Sequence, residues 1–409
     1  MPIDWLVSMP DSGNEGSGSI LAMNSGSSTL KFSLFRAGDS LVRELSGVID
    51  RIGSSQGTFT WMQEGALRAD RRTVDAPDHA ACFDMLMACV DSLYAQAPLR
   101  AIGHRVVHGG KEYREPQRVT PVVMEELQRL SPFDPEHLPA EIELIEACAR
   151  RYPRLPQVAC FDTAFHQGMP NVARLLPIPR RYEKLGLQRY GFHGLSYAFL
   201  MKELARIGRQ GEASGRVILA HLGNGASMAA VKDGKSVETT MGFTPASGMP
   251  MSRRSGDLDP GLVSYLSRTE GMSADRFHQM VNTESGLLGV SEISADMRDL
   301  LKEEQNDPRA ADAVSLFCYQ AKKWIGALAA ALGGVDTLVF SAGIGEQSPA
   351  IRARICEGLE FLGVAIDHAR NQQNDAVISS EGGRVTVRVI HTDEEREIAA
   401  SVMVLLSTD

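Results

Sequence analysis

The sequence predicts an α/β chain of two related domains, and three stretches carry that prediction. From Ile20 to Phe35 an apolar run, Ile20-Leu21-Ala22-Met23, breaks into Asn24-Ser25-Gly26-Ser27-Ser28. It then resumes as Leu30, Phe32 and Leu34 alternating with Thr29, Lys31 and Ser33. This is the pattern of a strand, a Gly-containing turn and an antiparallel strand. The pattern recurs at Ile218-Leu219-Ala220, with the turn Gly223-Asn224-Gly225 and a second apolar strand from Ser227 that ends in Lys232-Asp233-Gly234. A third stretch, Thr337-Leu338-Val339-Phe340, is a buried-type strand running into a Gly-rich loop, Ser341-Ala342-Gly343-Ile344-Gly345-Glu346, with a helical pattern beyond it.

Alone, the first hairpin reads as an ordinary turn. Such a turn also aims backbone N–H groups and hydroxyls at one point, and Lys31 beside it adds a positive charge, which suits a phosphate. Recurrence favours the second reading. Two equivalent hairpins far apart in one chain predict a duplicated domain, and together with the Gly-rich strand end they predict a nucleotide held in a cleft between two lobes. A single GxG would not carry this.

Composition agrees. At 409 residues the chain exceeds what one core usually supports. A formal net charge of −9 and the absence of a Lys/Arg-rich run argue against nucleic acid or an anionic membrane as partner. No apolar run reaches the length of a membrane span. Residues 1–19 carry an acid where a signal peptide has basic residues, and they are expected to form a flexible tail. Cys82, Cys89, Cys148, Cys160, Cys318 and Cys356 show no metal-binding spacing and read as reduced core thiols of a cytoplasmic protein.

After the first hairpin, strand-like alternation continues over 40–75, broken at Gly53 and Gly57. Residues Cys82, Phe83, Leu86, Cys89, Val90 and Leu93 form one helical face over 78–94. A strand over 101–107 ends in Gly109-Gly110 and embeds Arg105. A buried guanidinium needs an anion, either a structural carboxylate or a substrate carboxylate or phosphate. His104 and His108 read as structural. Helices are expected over 122–130, stopped by Pro132 and Pro135, and over 139–151. Val158-Ala159-Cys160-Phe161 delivers Asp162 at a strand end, where ligands collect in α/β sheets; the rival role is a helix N-cap.

His193 stands between aromatics and glycines in Tyr190-Gly191-Phe192-His193-Gly194, which marks a close backbone approach. Long Gly-studded loops over 241–257 suit a functional segment, and one of Arg253 and Arg254 is a second anion-ligand candidate. Helical patterns fill 260–289 and 310–332; in the latter, Trp324, Ile325, Leu328 and Leu332 form a stripe that is core or subunit interface. A strand over 385–389 leads to His391-Thr392-Asp393-Glu394-Glu395, a magnesium site or a helix N-terminus favoured by its dipole.

In order along the chain, MNSGSSTLKF, GHRVVHGG, FDTAFHQ, YGFHG, HLGNGAS, VETTMGFTP, SGLLGVS, FSAGIGE and HTDEE make the sequence resemble the acetokinase family from Ile20 to the C-terminus. The resemblance implies two duplicated RNase H-like domains of the actin, Hsp70 and sugar-kinase type with an interdomain active-site cleft. The expected division is 20–165 plus 395–409 for the first domain and 166–394 for the second, nucleotide-binding one, with the final helix packed on the first. The implied activity is reversible, direct in-line transfer of the ATP γ-phosphoryl group to acetate, giving acetyl phosphate and ADP. Magnesium is implied as cofactor, with manganese as a substitute, and a homodimer as the assembly. Two alternatives are a propionate or butyrate kinase and a non-catalytic ATP-binding switch of the same fold.

The resemblance also implies roles. Asn24 and Glu394 fall on the magnesium positions and Lys31 on the nucleotide-phosphate lysine. Arg105 falls on the arginine that binds the acyl carboxylate, and Arg254, not Arg253, on the second active-site arginine. Asp162 matches the catalytic aspartate, read here as an orienter of an arginine or a magnesium water although an acid/base role is often given there. His193 matches a transition-state-stabilising histidine. His221, Leu222, Gly223, Asn224 and Gly225, then Asp296, Met297 and Arg298, then Gly343, Ile344, Gly345, Glu346 and Gln347 match nucleotide-binding segments. Val107, Phe192 and Pro245 match the pocket for the acyl methyl. One departure stands out: Pro132-Phe133-Asp134-Pro135 replaces the family's Pro-Leu-His-Asn-Pro, losing its histidine and placing Phe133 where a pocket leucine is usual.

Overall fold

Residues 18–26, 28–38, 40–94 and 98–407 are described by the computed structural model. The expected tail up to residue 17, Ser27 of the first turn and the side chain of Leu93 lie outside the described residues. Contacts group the chain into two units: residues up to Ala164 together with those from Asp393 onward, and Phe165–Thr392.

In the first unit, β1 (Ser19–Ser25) and β2 (Thr29–Arg36) form the expected antiparallel hairpin, with Ile20 opposite Phe35 and Asn24 opposite Lys31. The sheet continues through β3 (Val42–Asp50), β4 (Ser54–Gln63) and β5 (Asp70–Ala76), all antiparallel. On the other side of β1, β6 (Leu99–Val106) and β8 (Gln157–Phe161) run parallel to it, and the short β7 (Gln117–Arg118) closes the edge. The strand order is β5-β4-β3-β2-β1-β6-β8-β7.

Every residue of β1 is buried because both faces of the sheet are covered. Leu21, Met23, Phe32 and Leu34 pack with Cys82, Phe83, Leu86 and Val90 of the helix His79–Tyr94 and with Leu144 and Cys148 of the helix Leu138–Arg151. The C-terminal helix Glu394–Ser407 packs on β1 and β6. A Cβ on Gly103 would lie 2.4 Å from Ile398 Cγ2, so glycine on β6 sets how closely that helix approaches. Gly53 makes the expected turn at φ 92°, whereas Gly57 sits inside β4 at a register shift rather than ending it.

The second unit repeats the scheme with β9 (Arg216–Leu222), β10 (Ala226–Lys232), β11 (Lys235–Thr239), β12 (Thr337–Ser341) and β13 (Thr386–Val389), in the order β11-β10-β9-β12-β13. Strands β9 to β11 are antiparallel, and β12 and β13 are parallel to β9. The two units therefore share three antiparallel strands (β1–β3 and β9–β11) with two parallel ones (β6 and β8, β12 and β13), the RNase H-like arrangement, duplicated; the first adds β4, β5 and β7 at its edges. Helix Gly194–Ile207 lays Tyr197, Leu200 and Leu204 on Val217, Leu219, Ala229 and Val339. Helix Pro308–Leu332, capped by Asp307 and ended by Gly333 at φ 73°, packs against β9, β10 and β11. Its Ile325, Leu328 and Leu332 are buried.

Two expectations need correction. The helical pattern over 260–289 is not continuous but splits into Gly261–Glu270, Ala274–Gln279, a π-helical turn Met280–Glu284 and Gly286–Ser291. Gly271 ends the first at φ 66°, Ser273 caps the second by accepting from the Arg276 N–H, and Gly286 (φ 61°) is a close approach where a Cβ would lie 2.1 Å from the Met251 carbonyl oxygen. The expected Gly-rich loop after β12 is a short helix, Ala342–Gln347, entered through Ala342 at φ 62°. Among the described residues no helix is long and apolar enough to cross a membrane.

Candidate active site

Strand ends of the first unit bring five sequence-selected side chains together. β6 carries Arg105, and the chain leaving β8 carries Asp162, whose N–H is held by the Val106 carbonyl at 3.0 Å. Arg105 Nε and Nη2 donate to Asp162 Oδ2 at 3.0 and 2.7 Å; Nη1 donates to the Ser25 carbonyl at 2.9 Å and to Glu141 Oε1 at 3.3 Å. Burial opposes the guanidinium charge, but Asp162, Glu141 and Glu394 outweigh it and push its pKa up. At the end of β1, Asn24 Nδ2 donates to Glu394 Oε2 at 2.7 Å and to Glu395 Oε1 at 3.2 Å. Lys31 stands opposite Asn24 on β2. Burial raises the Glu395 carboxyl, with Lys31 pulling against it and Glu394 adding to it. The strand positions are Asn24, Lys31 and Arg105; 370 residues separate Asn24 from Glu394.

Val107 follows Arg105 and is buried. Next to it, His108 accepts the Gly110 N–H on Nδ1 at 2.9 Å, and the Phe133 ring meets it edge-on at 5.5 Å. Phe133 thus packs beside the Val107 segment. His137 bonds to Asp134 at 2.8 Å across one turn, which ties down the shortened segment. His104 bonds to Gln157 Oε1 at 2.6 Å, and burial lowers its pKa to about 4.

In the second unit, His193 is the residue before helix Gly194–Ile207 and adopts φ 59°, a left-handed conformation uncommon outside glycine. Its Nδ1 bonds to Ser227 Oγ at 2.8 Å, and Ser227 Oγ lies 2.5 Å from the Tyr197 hydroxyl. The His193 ring stacks on His221 at 4.2 Å, and His221 Nδ1 bonds to Ser196 Oγ at 2.8 Å. A Cβ on Gly225 would meet His193 Nε2 at 3.0 Å and Arg254 Nη1 at 3.8 Å, so the absent side chain leaves both groups facing one space. Arg254 Nη1 donates to the Pro245 carbonyl at 3.3 Å. Arg253 is exposed, which separates the paired arginines. Phe192 is buried, and its carbonyl bonds to His166 Nε2 at 3.0 Å.

The remaining nucleotide-segment candidates fall at helix starts and turns of this unit. Asp296 caps helix Met297–Glu303 and also accepts from Arg298 Nε and Nη2 at 3.0 and 2.6 Å, which lowers its pKa. Met297 is buried and Arg298 exposed. Glu346 Oε1 accepts the Ala342 and Thr392 N–H groups at 2.7 and 3.1 Å, and Oε2 bonds to His391 at 2.5 Å. Asn224 holds Ser252 through backbone and side chain.

Sequence reasoning passed over Glu141, Ser227 and Tyr197. Glu141 left a signal, an acid in the stripe of Leu138, Ile145 and Cys148; Ser227 stood in the quoted HLGNGAS without a role.

A family model described as the acetokinase family matches residues 19–400. The chain is 43% identical over 397 residues to the acetate kinase of Methylocella silvestris, covering 95% of this chain and 98% of that one. It is similar to the crystal structure of Porphyromonas gingivalis acetate kinase, with a TM-score of 0.84 at 34% identity over 95% of this chain and 100% of the other. A propionate kinase from Francisella tularensis gives a TM-score of 0.87 at 34% identity, over 94% and 98% of the two chains.

Proposed function

This chain belongs to the acetokinase family, and from that premise we propose that it catalyses reversible transfer of the γ-phosphoryl group of ATP to acetate, giving acetyl phosphate and ADP. The observation that carries the reading is Arg105, a guanidinium embedded in a strand and held charged, with Asp162, Glu141 and the Ser25 carbonyl taking four of its five N–H groups and an Nη2 N–H remaining among the described residues. That is a fixed donor for a planar anion, as a carboxylate substrate requires.

An acetate oxygen attacks the γ-phosphorus as the bond from that phosphorus to the bridging oxygen of ADP breaks. Acetate is already ionised at neutral pH, so no proton has to be removed from the nucleophile. The barrier lies in bringing two anions together, and positive charge and oriented donors lower it. Arg105 would hold the acetate carboxylate. Arg254 and His193 Nε2, which share the space over Gly225, would meet the transferring phosphoryl group. Ser227 fixes the His193 ring by its other nitrogen. Asp162 orients Arg105. Lys31, the 221–225 turn, Asp296, Met297 and Arg298, and the 343–347 segment would take the nucleotide. Val107, Phe192 and Pro245 would wall the methyl group, with Phe133 behind Val107 and His108 favouring acetate over longer acids.

The donor set at Asn24, Glu394 and Glu395 suits magnesium, which takes hard oxygen ligands, few of them from protein. Glu394 and Asn24 would hold it, and when bound it would screen the phosphate charge. A homodimer is supported by helix Gly261–Glu270, which buries none of its residues and leaves Leu262, Val263 and Tyr265 exposed. Six buried thiols support a cytoplasmic setting.

The test is a magnesium-ATP assay with acetate, propionate and butyrate, trapping acyl phosphate with hydroxylamine, on the wild type, Arg105→Ala and Arg254→Ala. Turnover is expected best on acetate and nearly abolished in both variants. ATP binding without turnover on any of the acids would sink the reading.

A further inference from the structure

Glu141, a partner of Arg105, is a buried carboxylate to which the family strings assign no role. It is 2% exposed, on helix Leu138–Arg151, between residues whose side chains are apolar. Its two oxygens are divided between neighbours on the strand-end segment: Oε1 accepts from Arg105 Nη1 at 3.3 Å, and Oε2 accepts the Val107 N–H at 2.9 Å. We propose that Glu141 is a positioning residue for the carboxylate substrate, one side chain that sets both the guanidinium that binds the substrate's charge and the backbone of the residue that walls its methyl. The proposal rests on the reading of Arg105 and Val107 given above.

Arg105 is held along two edges of a planar group. Asp162 takes the Nε and Nη2 edge, and Ser25 O and Glu141 share Nη1. With one edge alone the guanidinium could pivot about the Asp162 contact; with both it cannot, and the remaining N–H points one way. The Val107 N–H is satisfied by the same carboxylate, so arginine and pocket wall are referenced to one helix. Burial pushes the Glu141 carboxyl up, Arg105 and the Val107 N–H pull it down, and Asp134 and Asp162 push it up; with an N–H donor on each oxygen and Arg105 alongside, the group is placed as a carboxylate. A helix that needed only packing at this position would place an apolar side chain there.

The experiment measures KM and kcat for acetate and for ATP separately, with the melting temperature, in full-length Glu141→Gln and Glu141→Asp. The Gln variant has one acceptor oxygen for two donors and no charge, and its acetate KM is expected to rise about tenfold, the order lost with one charge-assisted hydrogen bond. Its ATP KM should stay within about twofold, because uniform loss of binding falls on the substrate that Arg105 holds. The Asp variant keeps the charge but is one methylene short, and a smaller rise of about threefold is expected from its longer hydrogen bonds. It remains readable should the Gln variant fail to fold. An acetate KM unchanged in the folded variants, or acetate and ATP KM rising in parallel as a structural defect would make them, overturns the proposal. No turnover of acetate by the wild type overturns the underlying reading and this one with it; wild-type turnover with unmoved variants overturns this one alone.

Discussion

Asp162 accepts two nitrogens of Arg105 on a single oxygen, Oδ2, with Nε at 3.0 Å and Nη2 at 2.7 Å. That geometry supports the proposed role of Asp162 as orienter of the arginine. The substrate carboxylate carries no proton for it to remove, so Asp162→Asn should raise the acetate KM and lower kcat while leaving the shape of the kcat–pH profile unchanged. Loss of the acid limb of that profile in the variant would assign a general base instead. Arg105→Ala, by contrast, removes a preorganised donor outright and should lower kcat/KM on the order of a hundredfold or more.

Ser227 stands between the Tyr197 hydroxyl and His193 Nδ1. If the serine holds the ring that carries Nε2 toward Arg254, Ser227→Ala should lower kcat about tenfold with little change in either KM, the size of effect expected when a catalytic group loses its orienting hydrogen bond. His193→Ala should lose at least as much. Equal kcat in Ser227→Ala and wild type would remove the serine from the mechanism.

Phe133 meets His108 edge-on at 5.5 Å beside Val107. Replacing it with leucine should open space there and improve propionate and butyrate relative to acetate, by at most the roughly 10–200-fold per added methylene that about 1–3 kcal/mol allows. An unchanged ratio of kcat/KM across the three acids would show that the aromatic ring does not limit acyl length.

Burial lowers His104, His108 and His166 from 6.5 to about 4 each. Their folded pKa lies below the unfolded one, so the native state binds fewer protons, and the stability they contribute is present above pH 6.5 and lost as pH falls towards 4. The urea midpoint should therefore drop between pH 7.5 and 5, and His166→Gln should make that drop shallower. A midpoint flat over this range would contradict the buried neutral state of these rings.

Arg352 is fully buried and, among the described residues, bonds to neutral acceptors: the Gly345 and Glu346 carbonyls, Asn371 through its side chain and carbonyl, and Asn374. Burial lowers its pKa to about 10. It pins the helix Ala342–Gln347, so Arg352→Met should lower the melting temperature, with about 1–3 kcal/mol lost for an acceptor left unpaired. It should also raise the ATP KM while sparing that for acetate. An unchanged melting temperature and ATP KM would show that the helix holds without it.

Local patterns were legible where the physics is local. The hairpins at Ile20 and Ile218 could be read because side chains alternate across a strand and glycine marks the turn, and their recurrence disclosed the duplication. The helix His79–Tyr94 followed from apolar spacing. Where backbone geometry rather than hydrophobic spacing decides, the reading failed. The helical pattern breaks at Ser285, whose backbone is extended, and Gly286 follows with the Met251 carbonyl against it, while Ala342 turns a Gly-rich stretch into a helix through a left-handed residue.

The candidate site divides in the same way. By itself the sequence determined which residue types were present, and its family strings implied that Asn24, Arg105, Asp162, His193, Arg254 and Glu394 serve one chemistry. Only the tertiary structure decided their partners: Asp162 rather than solvent for Arg105, Glu394 for Asn24 across 370 residues, Ser227 for His193, and Glu141 for both Arg105 and Val107. Periodicity reports which face of an element is buried, because burial acts on each residue separately. A hydrogen bond acts between two atoms whose separation in space bears no relation to their separation along the chain, and no local pattern encodes it.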